Sequence, residues 1–441
     1  MAFSQAIAVC WSLLLLSPSV VHAQWFATCR AGSVAELNQS IAAHSEHTFR
    51  LSEKFLNGYY HQGPLPSDFT RASREDIYSF LHKLAPRKVG VLFHAHRDNK
   101  LCTWLLLPPN KVISEVTSVP KDTIEILQNN LLNAWGVTAL EQQRVPVRKR
   151  GVKTVYPSSS TEASPQEIIN KLSHLLLPSS IAETLLTENI DTLVVVPIAP
   201  MGTLPWSVLN VGPEPLLKVI SVFIAPGFWV FRDNPKVSRH LFTSAIVVGD
   251  PPGTNDPDWD FPALPGARAE AREIAQIVGA IPLIGSAASK KNVAEALNTH
   301  PRVDLIYLAT HGVASRTNPR DASFLLMSDG RWPAIEIQNL PLRASHPLVI
   351  MSACQTGLGK DFDVGTIGMA RAWHRAGASQ VMMSLWNVDD QATRNLMTQF
   401  IQLTAEHPVD KALQLAMQKI RETHIDPPAW AGFTIFGLPN L

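Results

Sequence analysis

Leu305-Ile306-Tyr307-Leu308-Ala309-Thr310-His311-Gly312 and Leu348-Val349-Ile350-Met351-Ser352-Ala353-Cys354-Gln355-Thr356-Gly357 are two runs built to one plan. Each opens with uncharged residues that show no polar alternation, and each closes on a reactive side chain with a glycine nearby. Runs apolar at nearly every position suit strands covered on both faces. Others stand at 192–197, 245–248 and 380–385, with helical stretches at 267–278, 290–298, 367–376 and 390–404. Strands alternating with helices in this way call for an α/β fold with a mostly parallel sheet and right-handed crossovers. Functional groups in such a sheet gather beyond the carboxyl ends of the strands. His311 and Cys354 hold that place on two runs, and their separation of 43 positions suits one crossover. The spacing therefore predicts that the two side chains meet above neighbouring strands.

A cysteine beside a histidine suits nucleophilic attack on a carbonyl, because the imidazole favours the thiolate or takes up its proton as the bond forms. Gly312 lets backbone approach a substrate closely, so its N–H and that of Cys354 are candidate donors to a developing oxyanion. Gly357 and Gly359 allow a sharp turn after the nucleophile. The plainer alternatives are a hydrogen-bonded histidine at a loop start and a buried structural cysteine.

Upstream the pattern changes. Residues 24–86 read as a helical segment, with helices at 33–45 and 73–84 separated by a Gly-Pro-Leu-Pro turn at 63–66. Residues 87–143 read as a β-meander (88–116) followed by a helix at 122–134. Residues 144–163 combine the basic run Arg148-Lys149-Arg150 with prolines and serines, the composition of an exposed loop. From 164 to 441 the α/β pattern takes over, opening on Ser164-Pro165 with Glu167, a capped helix start. Ahead of all this, no charged residue occurs before Arg30, and the apolar stretch 6–21 ends in Val21-His22-Ala23. That is the form of a signal peptide, with cleavage expected after Ala23 and a protein exported to the periplasm or secreted. Cys10 would leave with it; Cys29 and Cys102 can then pair if the N-terminal segment packs on the strand around Cys102, leaving Cys354 free.

Composition narrows the classes. The 441 residues carry a formal net charge of +1, with 46% hydrophobic and 17% charged residues, so disorder is excluded and there is no electrostatic footprint for nucleic acid. No stretch after Gln24 is long and apolar enough to span a bilayer. The four cysteines form no C-x-x-C pair, and H-E-x-x-H and G-x-S-x-G are missing. Gly357-Leu358-Gly359-Lys360 lacks the opening glycine and the hydroxyl residue of a phosphate loop. No cofactor and no metal is therefore expected. His94 and His96 share one face of a strand, and without a third ligand two surface histidines are the expected outcome.

The strings at 305–312 and 348–359, with Gly368-Met-Ala-Arg-Ala-Trp-His-Arg-Ala-Gly-Ala, Ser384-Leu-Trp-Asn-Val-Asp-Asp and Trp430-Ala-Gly-Phe, closely resemble the CHAT domain, a branch of the caspase-like cysteine peptidases (clan CD) related to separases. The likeness takes in 197–209, Gly249-Asp-Pro and 264–273, and reaches back less specifically to residue 87. It implies a caspase-like sheet with helices on both faces, a non-catalytic N-terminal half, a catalytic pair at His311 and Cys354, and a protein or peptide substrate. It also implies that the loop Trp386-Asn387-Val388-Asp389-Asp390 lines the pocket for the residue before the cut. Asp389 or Asp390 would favour Arg or Lys there through charge-assisted hydrogen bonds; the alternative is that one of them caps the helix that follows. Such a preference would make 148–150 a site of self-cleavage. One departure stands out: the family commonly has Gly-Glu-Gly soon after the cysteine, and this chain has Asp363-Val364-Gly365. The expected function is an exported caspase-like cysteine endopeptidase, with a catalytically weak or inactive CHAT-fold binding or scaffold protein as the alternative.

Overall fold

The computed structural model describes residues 34–57, 71–137, 163–198, 200–233, 242–252, 256, 261, 263–300, 302–313, 321–352, 360–362, 365–386 and 390–440. Its strands are β1 (Val89–Arg97), β2 (Lys100–Leu107), β3 (Lys111–Ser118), β4 (Thr192–Val196), β5 (Asn210–Val211), β6 (Glu214–Pro215), β7 (Ser221–Ile224), β8 (Ala245–Gly249) and β9 (Leu283–Ile284). They continue with β10 (Leu305–Ala309), β11 (Gly312–Val313), β12 (Phe324–Met327), β13 (Gly330–Pro333), β14 (Leu348–Ser352), β15 (Lys360–Phe362), β16 (Gly365–Ile367), β17 (Gln380–Ser384) and β18 (Phe433–Gly437).

Eleven of these make one sheet, in the order β3-β2-β1-β4-β7-β18-β17-β14-β10-β8-β9. It consists of two parallel blocks running in opposite directions. In one, β1, β4, β7 and β18 are mutually parallel, with β2 and β3 added antiparallel as a meander. In the other, β17, β14, β10, β8 and β9 are parallel. The blocks join antiparallel at β17–β18, where Ser384 faces Phe433. The carboxyl ends of β10, β14 and β17 therefore share a rim with the amino ends of β18, β7 and β4.

Every residue of β4, β10 and β17 is buried. Successive strand residues point to opposite faces, so both faces are covered. The mostly parallel sheet expected from the apolar runs is present, and the meander at 89–118 lies in that same sheet rather than beside it. The cap read from sequence at Ser164 forms, its Oγ accepting from Glu167 N–H at 3.3 Å, and Ser73 makes the same motif, its Oγ accepting from Asp76 N–H at 3.2 Å, each with its reciprocal bond. Strands 221–224 and 433–437 and helices Ser179–Thr187 and Val409–Thr423 were not expected.

One expectation is corrected. His94 is not a surface residue: it has no exposed area, and its Nε2 lies 3.0 Å from the Leu176 carbonyl. Burial pulls its pKa down to about 4, so the ring is neutral at ordinary pH. The helix Val409–Thr423 is tied to the first block by Asp410, whose Oδ2 accepts from Arg87 Nη2 at 2.6 Å, Thr192 Oγ1 at 3.0 Å and Ser221 Oγ at 2.6 Å.

Candidate active site

His311 leaves the carboxyl end of β10, and the chain around it is fixed from three sides. Thr310, buried just before it, donates its hydroxyl to the Leu326 carbonyl at 2.6 Å. The carbonyl of His311 itself accepts from Leu326 N–H at 2.9 Å. Gly312 and Val313 then pair with Leu325 and Phe324 in the three-stranded sheet β11-β12-β13. The backbone that carries the imidazole is thus built into a second, smaller sheet after only two residues, Thr310 and His311, beyond the first.

Close packing behind the site explains several residue choices. At Gly249, the end of β8, an added Cβ would lie 2.4 Å from Ala271 Cβ, so the helix Pro265–Val278 presses directly on the strand. Asp250 follows, donating its N–H to the Ala309 carbonyl at 3.0 Å, while its carboxylate accepts from Leu264 N–H at 3.0 Å and Arg268 Nε at 2.7 Å. Tyr307, inside β10, donates its hydroxyl to Glu270 on the same helix at 2.7 Å. Burial first, and the adjoining Glu270 carboxylate second, hold that phenol well above its usual range, so it stays a donor.

A series of aromatic and ionic contacts leads away from the imidazole. Phe261 lies 5.0 Å from it, centroid to centroid, and 6.3 Å from Phe324. Arg331 sits 4.6 Å from the Phe324 ring centroid and binds Asp256 through Nε at 2.6 Å and Nη2 at 2.5 Å. Sequence reasoning missed Phe261, Asp256 and Arg331. The one available signal was Asp329-Gly330, a turn dipeptide just after the apolar run 324–327, one position past the Ser328-Asp329 loop that joins β12 to β13.

Of the other candidate residues, Cys354 and Asp389 lie outside the described residues, as do Val364 and the basic run at 148–150, and the side chain of Asp390 is not described. Trp386 is buried, with its indole N–H donated to the Pro428 carbonyl at 3.1 Å. Of the motif at 368–378, Arg371 is buried and His374 half-buried. Arg371 donates to the Pro226 and Thr48 carbonyls at 3.4 and 3.5 Å, and burial lowers its pKa to about 10. His374 Nδ1 lies 3.0 Å from the Ala378 carbonyl, and burial brings its pKa to about 4. Cys102 is disulfide-bonded, and the other three cysteines lie outside the described residues. Among the described residues no group of three or more His, Cys, Asp or Glu could hold a metal ion, and no helix is long and apolar enough to cross a membrane.

The CHAT domain family model matches residues 166–438. Tetratricopeptide repeat protein 28 of Mus musculus is 26% identical over 248 residues, which cover 47% of this chain and 10% of that protein. Its Homo sapiens counterpart is 25% identical over the same length and shares. The chain thus spans about a tenth of the length of these curated relatives. Among solved structures, the separase–securin complex of Saccharomyces cerevisiae contains a chain of the same fold, with TM-score 0.54 and 12% identity over 91% of this chain and 33% of that one.

Proposed function

We infer, from the premise that this chain belongs to the CHAT domain family, that it is a cysteine endopeptidase of caspase-like fold. In this reading Cys354 attacks a peptide carbonyl, His311 takes up and returns the proton, and water hydrolyses the acyl-enzyme. The Gly312 and Cys354 N–H groups receive the oxyanion. One observation carries the reading: β10 and β14 are parallel neighbours in register, with Ala309 paired to Ser352. Neighbouring strands lie about 4.8 Å apart. His311 follows Ala309 by two positions and Cys354 follows Ser352 by two. Two residues of extended chain reach at most about 7 Å. Equal offsets from one paired rung favour a meeting of the two side chains at that rim.

The same reading has the protein exported after loss of residues 1–23. A disulfide at Cys102 supports an oxidising compartment. Asp389 or Asp390 gives the enzyme a preference for Arg or Lys before the cut, and the basic run at 148–150 is then open to self-cleavage. A second reading, a binding or scaffold protein that keeps the fold without full activity, is favoured by Val364 at the position of the family's glutamate.

A peptide carrying an electrophilic ketone tests the first reading. Labelling at Cys354 is expected, lost in Cys354→Ala and slowed at least about a hundred-fold in His311→Ala, in line with removal of a positioned base. Labelling no faster than an unfolded thiol control, and indifferent to His311→Ala, would sustain the scaffold reading instead.

A further inference from the structure

The imidazole of His311 is joined to the chain by two rotatable torsions, and catalysis tolerates little wandering of a base. The β11–β12 ladder fixes its backbone but not its ring. Among the described residues, Phe261 is an aromatic neighbour of the ring: centroids 5.0 Å apart, planes inclined by 37°. That separation is within the range in which aromatic rings attract one another. Phe261 in turn stands edge-on to Phe324, at 6.3 Å and 88°. Phe324 is the residue paired with Val313, two positions beyond the histidine. One residue of β12 therefore braces both the backbone after His311 and the ring against its side chain.

The far side of Phe324 is also held. The Arg331 guanidinium rests 4.6 Å from its centroid, and the fork of that guanidinium grips Asp256 at 2.6 and 2.5 Å. The Asp256 side chain is only 3% exposed, so the carboxylate end of the pair is shielded from solvent, while Arg331 is 34% exposed. Asp256 precedes Phe261 by five positions in the segment that follows β8. A bidentate ion pair anchors one end of that segment while Phe261 meets the imidazole at the other. Carboxylate, guanidinium, two phenyl rings and imidazole form one continuous series of contacts.

We propose that Phe261 is a positioning residue for His311, kept against the imidazole by the Asp256–Arg331 ion pair. The proposal rests on the reading of His311 as the base. Its contact with the ring, however, can be measured whether or not the protein cuts peptides.

The test uses the full chain with histidine ring protons followed by NMR, His311 being identified by its loss in His311→Gln. A phenyl ring this close displaces those proton resonances by its ring current. Phe261→Leu keeps apolar bulk and is expected to abolish the displacement, and Phe261→Tyr to preserve it. In the peptide-ketone assay Phe261→Leu is expected to slow the maximal labelling rate about ten-fold, with little change in the concentration giving half that rate, because orientation of the base is lost rather than substrate binding. Phe261→Tyr should recover most of the rate, and Asp256→Asn should give a drop of the same kind but smaller. Unmoved His311 resonances in Phe261→Leu would overturn the contact, and an unchanged maximal rate in that variant would overturn the positioning role. If the wild type fails to label at all while Phe261→Leu still moves the resonances, the endopeptidase reading fails and the Phe261–His311 contact stands.

Discussion

Asp410 is where the final long helix meets the first block of the sheet, and its removal is expected to be costly. In Asp410→Ala the guanidinium of Arg87 loses the carboxylate oxygen it contacts at 2.6 Å. Breaking a buried ion pair costs about 3–5 kcal/mol, most of it from the charge left behind. Arg87 is 22% exposed, so water can rehydrate part of that charge, which places the cost near the lower end, about 3 kcal/mol. The two hydroxyls add little. Thr192 Oγ1 can turn to Asp191 Oδ1 at 2.8 Å and Ser221 Oγ to the Asp191 carbonyl at 3.1 Å. Asp410→Asn keeps an acceptor for both hydroxyls and the guanidinium, so about 1–2 kcal/mol is expected there. Urea unfolding of both variants, with Arg87→Ala and the double variant completing a cycle, measures these values directly. A loss below about 1 kcal/mol in Asp410→Ala, or a coupling energy near zero, would refute the claim that this ion pair fastens the helix to the sheet.

Three further outcomes are expected. His94 is buried and His374 half-buried, each with its pKa lowered to about 4, whereas each returns to its ordinary value of 6.5 on unfolding. The unfolded chain therefore gains protons first as pH falls: their contribution is complete above pH 6.5 and drains away towards pH 4, by about 2 kcal/mol each at pH 5, and His94→Gln should flatten that part of a urea-midpoint profile. Gly249→Ala should cost about 1–3 kcal/mol, since the new methyl meets Ala271; if the clash is the cause, adding Ala271→Gly will recover most of it in thermal melts. Cys102→Ser should lower stability by about 2–5 kcal/mol, and peptide mapping without reductant identifies which cysteine it was bonded to.

How far the sequence could be read depended on where the information lay. The runs at 305–309 and 348–352 announced themselves because burial on both faces leaves no room for polar alternation. Ser164 with Glu167 was equally plain, since a capping box is a contact between residues three apart. The same both-faces rule explains the error at His94: β1 is buried over most of its length, so alternation could not say which side met water. The strand 433–437 carries no mark of its direction, because an all-buried segment looks alike whether its neighbour runs parallel or not. At the site, His311 could be picked out by its place after an apolar run. Phe261 could not, for its contact spans fifty positions and its segment has no period to betray it.

β18 alone bridges the two blocks, pairing with β17 on one side and β7 on the other. Of the strands described it is also the last to emerge from the ribosome. Until it does, β17 and β7 both present bare edges. Seating that one segment thus closes the sheet, and a chain stalled short of it would present two sticky sheet margins to the cell's quality control.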